Sequence, residues 1–112
     1  MDVIDAYKNI FESLTEGLKR IYGDYLQSII LYGSVAKKTN TEESDIDIAV
    51  VVTKDDAEMH DEMVDMNVDL ELQCGKVLSV LIIDLEEYTK WNSISPFYRN
   101  VKEEGIILWK AA

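Results

Sequence analysis

The sequence predicts an α/β (α+β) fold: a small mixed β-sheet with helices packed mainly on one side. Three observations predict it. The N-terminal stretch repeats apolar residues at helical spacing. Two compact β-branched runs, Leu26 to Tyr32 and Ile46 to Val52, follow it. A second helical stretch then leads into a third such run, Val77 to Ile83. Strands interleaved with helices bury their apolar faces as a sheet packed on helices.

Residues 2 to about 23 read as an amphipathic helix. Ile4, Tyr7, Ile10, Phe11, Leu14, Leu18, Ile21 and Tyr22 share one face. Asp2 and Asp5 suit the positive end of its dipole, and Gly23 ends it. Leu26 to Tyr32 is a strand broken by Gly33, and Ser34 to Lys38 is a short helical turn before a polar loop, Thr39 to Ser44. Ile46 to Val52 is apolar on both faces, the pattern of a central, buried strand. Asp55 to about Leu72 reads as a helix with Met59, Met63, Met66 and Leu70 on one face. After the strand Val77 to Ile83, Asp84 with Glu87 forms a capping box for a short helix reaching Trp91. Ser95-Pro96 opens another helix, with proline at its first position, and Gly105 closes it. Ile106 to Trp109 is a final strand.

The 112 residues fit one domain, 1–112, with no room for a separate specificity domain. Any further recognition then comes from a partner or from a second copy in a homo-oligomer. The formal net charge is −11, from 22 acidic and 11 basic residues, and the basic residues form no stripe. A long nucleic acid is therefore excluded as partner, because gripping its backbone needs such a stripe. A small molecule or a basic protein fits the charge better. Cys74 is the only cysteine, so there is no disulfide framework and no thiolate metal cluster. No apolar run reaches the length of a membrane span, and Met1-Asp2-Val3 opens no signal peptide. These features predict a cytoplasmic protein.

The chemistry concentrates between Leu31 and Val52, in LYGSVAKKTNTEESDIDIAVVV. Residues two apart in a strand face the same way, roughly 7 Å apart. Asp45 and Asp47 thus present two carboxylates side by side, while Ile46 and Ile48 point into packing. Two such carboxylates repel each other and lose hydration. A divalent cation compensates them, and Mg²⁺ takes one or two carboxylates together with the oxygens of a nucleotide's phosphates. Gly33 lets the backbone approach a phosphate closely, and amides at a helix start favour an anion. The Ser34 hydroxyl adds a hydrogen bond, and Lys37 and Lys38 stand ready to neutralise phosphates. The bland alternative is a glycine turn and two aspartates at a strand edge. His60 reads as a surface residue and the methionine stripe as core. Trp91, Phe97, Tyr98 and Trp109 read as core or interface, and Arg99 as a surface ion-pair residue.

The Gly33-Ser34 turn, ten intervening residues and Asp45-Ile46-Asp47 resemble the signature of the DNA polymerase beta-like nucleotidyltransferase superfamily. The short length, and the ending Pro96-Phe97-Tyr98-Arg99-Asn100-Val101 through Glu104-Gly105-Ile106, are similar to its minimal nucleotidyltransferase (MNT) branch. The resemblance implies a nucleotidyltransferase fold and transfer of a nucleoside monophosphate, AMP from ATP above all, with Mg²⁺ to a hydroxyl. It implies Asp45 and Asp47 as metal-holding catalytic residues, and Gly33, Ser34 and Lys37 as nucleotide-binding ones. It also implies a helical HEPN partner carrying the acceptor hydroxyl, with this chain as the antitoxin of a toxin–antitoxin pair. The family's third carboxylate lies on the strand beside Asp-x-Asp. Here Ser79 takes that position, and Asp69, Glu71 and Asp84 are the other candidates to supply it. The alternatives are a catalytically weak or inactive nucleotide-binding subunit acting by contact, and an adenylyltransferase acting on a small molecule.

Overall fold

The computed structural model describes residues 3–41 and 44–112, with Val3 and Ile4 through their backbone alone. Asp2 at the helix start, the Ile4 side chain in the apolar stripe, and Glu42 and Glu43 of the polar loop lie outside the described residues.

The expected N-terminal helix is two helices. α1 (Val3–Ala6) ends at Tyr7, whose φ of −110° and ψ of 18° are not helical, and α2 (Lys8–Tyr22) follows. Asp5 and Ala6 are exposed, so they do not anchor α1 in line with α2. A helix this short has little stability of its own. α2 buries Phe11, Leu14, Leu18 and Tyr22, and Gly23 caps it at φ 54°. The strands are β1 (Leu26–Tyr32), β2 (Ile46–Val52), β3 (Leu78–Asp84) and β4 (Ile106–Lys110). Between β1 and β2 stands the four-residue α3 (Gly33–Ala36), shorter than the expected turn. α4 (Ala57–Cys74) starts at Asp56, whose carboxylate accepts the Met59 N–H at 2.9 Å, and stops at Gly75, φ 69°. α5 (Leu85–Trp91) and α6 (Pro96–Glu104) precede β4, and Asp84 caps α5 by accepting the Glu87 N–H.

The sheet is mixed, in the order β3-β2-β1-β4. β1 pairs antiparallel with β2 and β4, and β2 pairs parallel with β3. A parallel pair needs a crossover, which α4 supplies. β2 is central, and every residue of it except Asp47 is buried. Alternation along β2 sends Ile46, Ile48, Val50 and Val52 to the larger core, beneath α2 and α4. Ala49 and Val51 face the other way, into a smaller core closed by Val101 of α6 with Leu85, Tyr88 and Tyr98. Helices thus cover both faces, the greater part of the core lying on the α2–α4 side.

Candidate functional site

Asp47 lies on the face of β2 that carries Ala49 and Val51, because Ile46 and Ile48 on either side of it are buried in the opposite core. Its register partners are Tyr32 on β1 and Ser79 on β3. Asp45 stands exposed just before β2. The next residue, Ile46, is tied down by its N–H to the Val77 carbonyl, 2.9 Å away. The two carboxylates therefore meet at one end of the sheet, on the face away from α4.

The turn after β1 closes over this point. Tyr32 is extended, and Gly33 then takes φ 74°, a conformation that disfavours any side chain. A Cβ at Gly33 would also overlap Oδ2 of Asp47. The glycine is thus fixed by the carboxylate as well as by its backbone angle, a reason additional to the approach of a phosphate. Val35 is buried and anchors α3. The turn is closed by the Lys37 N–H to the Gly33 carbonyl, 3.1 Å, and the Thr39 N–H to the Ser34 carbonyl, 2.9 Å. The first-turn N–H groups of such a helix have no acceptor within it and are available to an anion.

The electrostatics show what these groups want. Burial pushes the Asp47 carboxyl above its ordinary value, and the negative charge of Asp45 adds to the effect. Burial also raises the Tyr32 hydroxyl, with Asp47 as the second cause. Asp45 and Asp47 together are hard oxygen donors, the ionisation of Asp47 being penalised, and they fit Mg²⁺ with the remaining ligands drawn from phosphate and water. Among the described residues no cluster of three His, Cys, Asp or Glu side chains is placed to hold a metal ion.

The remaining candidates lie elsewhere. Lys37 pairs with Glu104 at the end of α6, Nζ to Oε2 2.8 Å. Asp69 faces a groove between α2 and α4, on the other side of the sheet. Glu71 Oε2 accepts the Leu78 N–H at 2.9 Å and so secures the start of β3. Asp84 caps α5 at the far end of β3. None of these three carboxylates joins Asp45 and Asp47, and Ser79 holds the register position beside Asp47. His60 binds Asp55 at 2.9 Å, away from the site, and the methionine stripe packs in the core. Sequence reasoning missed Tyr32 as a neighbour of Asp47 and Phe97 as its stacking partner, edge-on at 5.5 Å. Pairing register and the path of α6 decide both contacts, and no local motif encodes them.

Comparison with known proteins shows the family. The family model described as Polymerase beta, Nucleotidyltransferase matches residues 16–111. A Methanocaldococcus jannaschii protein named "Putative protein adenylyltransferase" is 37% identical over 98 residues, 88% of this chain and 93% of that protein. A chain of a toxin–antitoxin crystal structure with AMP-PNP superposes with a TM-score of 0.59 at 26% identity, over 90% of this chain and 73% of the other. A chain from the structure of a tri-AMPylated Shewanella oneidensis HEPN toxin in complex with MNT antitoxin superposes at 0.54, over 93% and 72%. Its 24% identity makes it evidence for the fold alone. The chain belongs to the polymerase beta nucleotidyltransferase family, and it is a nucleotidyltransferase.

Proposed function

We propose that this nucleotidyltransferase moves AMP from ATP to a hydroxyl of a protein partner, with Mg²⁺ held by Asp45 and Asp47. The observation that carries the reading is the closure of the Gly33 turn onto the Asp47 carboxylate, which sets an anion-accepting helix start against two carboxylates. In this reading the α3 amides and the Ser34 hydroxyl receive phosphate oxygens. Lys37 adds positive charge after leaving Glu104. Mg²⁺, when bound, neutralises charge on the phosphates and on the leaving group. The acceptor oxygen forms a bond to the α-phosphorus as the bond to the β-phosphate oxygen breaks, and pyrophosphate leaves. The acceptor's proton passes to water or to a base of the partner, because the side chains flanking Asp47 across the sheet are Tyr32 and Ser79. Positioning and charge neutralisation then supply most of the rate.

The M. jannaschii protein supports AMP and a protein acceptor through its name, and the toxin–antitoxin structure supports an adenine nucleotide through its AMP-PNP. The net charge of −11 speaks against a nucleic-acid acceptor. The partner is a HEPN-type helical protein, with this chain as its antitoxin. No described helix is long and apolar enough to cross a membrane. The test incubates the protein with α-labelled ATP, Mg²⁺, total RNA and the product of the adjacent gene. Label on that protein, abolished by Asp45→Asn, is expected. Label on RNA alone would overturn the reading. Ser79 in place of a carboxylate favours a second reading, a subunit that binds nucleotide and acts by contact. A tight complex with the partner and no labelled product would establish it.

A further inference from the structure

α4 has two apolar faces, and the core uses one. Met63 and Leu70 are buried inward. Val64, Val68 and Leu72, spaced i, i+4 and i+8, form a row turned outward, and they are 44%, 47% and 79% exposed. A solvent-facing helix surface is ordinarily polar there. Beside this row runs a groove of about 360 Å³ between α2 and α4, lined by Glu62, Asp65 and Asp69 with a single cation, Arg20. α4 itself contains no Lys or Arg. Among the described residues none of these three carboxylates makes an ion pair.

We propose that the outer face of α4 docks a basic amphipathic helix of a partner protein. The partner's apolar residues cover Val64, Val68 and Leu72, and its Lys or Arg heads enter the groove toward Glu62, Asp65 and Asp69. Charge complementarity chooses this occupant. A second copy would bring the same carboxylates into opposition, in a chain already at −11. A basic helix is instead drawn in by the whole acidic molecule. Because α4 covers the sheet face opposite Asp47, a docked helix leaves Asp45, Asp47 and the Gly33 turn open. The surface is thus separate from the reaction site, and its test does not depend on the reaction.

The probe is a fluorescent helical peptide of leucine and lysine, titrated onto the full chain. Two controls accompany it: a leucine–glutamate peptide, and a peptide with serine in place of leucine and the lysines kept. The leucine–lysine peptide alone should bind, and hydrogen exchange should slow in residues 62–74. Val68→Ser with Leu72→Ser should weaken binding about tenfold or more, with ATP binding unchanged. Leu72→Lys, at the most exposed of the three positions, checks the effect without risk to the core. Asp65→Asn with Asp69→Asn should weaken binding and flatten its salt dependence. Equal binding by the serine–lysine peptide would overturn the proposal, as would indifference to Leu72→Lys or protection mapping elsewhere. A dimer in sedimentation that Leu72→Lys dissociates would assign the face to a second copy and also overturn it.

Discussion

Burial and the adjacent Asp45 both raise the Asp47 carboxyl, so the ionised form that a cation needs is disfavoured in the folded chain. A group whose folded value lies above its unfolded 3.8 stabilises the fold fully below that pH. That contribution is lost as pH rises through the folded value. At neutral pH the ionised Asp47 is therefore a net burden on the fold. Asp47→Asn should raise the melting temperature by a few degrees at pH 7 in chelator, and the gain should shrink toward pH 3.8. The same variant should lose Mg²⁺-dependent ATP binding in calorimetry. A lower melting temperature would instead make Asp47 a structural residue. Gly33 carries a linked prediction. Gly33→Ala meets a φ of 74°, worth about 1–2 kcal/mol against a side chain, and an overlap with Asp47 Oδ2. Asp47→Ala relieves only the overlap. A double-mutant cycle by denaturant unfolding should thus show the pair less damaging than the sum, by about 0.5 kcal/mol or more. Strict additivity would show that the turn relieves the overlap by moving.

At the scale of elements, the sequence made β1 and β2 legible to the residue, because each is an apolar β-branched run ending at Gly33 or beginning after Asp45. β3 starts one residue later than its apolar run, since Val77 is exposed and gives only its carbonyl, to Ile46. The break at Tyr7 was not legible, because the apolar spacing runs straight through it. Nor was the docking of α5 and α6 on the second face, for helical period says which side is buried without saying against what. The same limit applies to the site. Gly33, Ser34, Asp45 and Asp47 stand out as a local pattern, whereas Tyr32 and Ser79 join them only through strand register. One contact between elements yields a further prediction. Tyr22, at the end of α2, donates its hydroxyl to Asp55 Oδ1, 2.9 Å, just ahead of α4. Tyr22→Phe should cost ~1 kcal/mol, about 4–8 °C in a domain near this size. Burial, then the Asp55 hydrogen bond, raises the Tyr22 hydroxyl above its ordinary 10.0. Its stabilisation is full below pH 10.0 and is lost above it, so the alkaline fall in wild-type stability should be shallower in Tyr22→Phe. Parallel alkaline curves would remove Tyr22 as the cause.

The whole molecule concentrates its charge. The described residues extend 35 × 31 × 23 Å, and the chain carries 22 carboxylates against 11 cationic side chains. At ~10 mM salt the Debye length is about 30 Å, so charges across the entire molecule repel one another. At ~1 M it falls to about 3 Å and only near neighbours interact. Salt also weakens attractive pairs, but the fold has little to lose there. Lys19 with Glu16 and Lys54 with Asp56 stand 3.8 Å apart and exposed, and even the 2.8 Å Lys37–Glu104 pair is about half exposed. Exposed pairs of this kind contribute about 0–1 kcal/mol each. Relief of repulsion should therefore win, and sodium chloride should raise the melting temperature steadily over this range. Chloride is the proper anion, because sulfate would add its own stabilisation by exclusion from the surface. A fall in melting temperature with salt would mean that the exposed pairs outweigh the net charge. Magnesium chloride at matched ionic strength separates general screening from the site. It should raise the melting temperature further in the wild type, by binding where ionised Asp47 is most penalised. That extra increment should vanish in Asp45→Asn with Asp47→Asn, while the sodium chloride curve keeps its slope. An increment that survives the double substitution would place the bound cation elsewhere on the acidic surface.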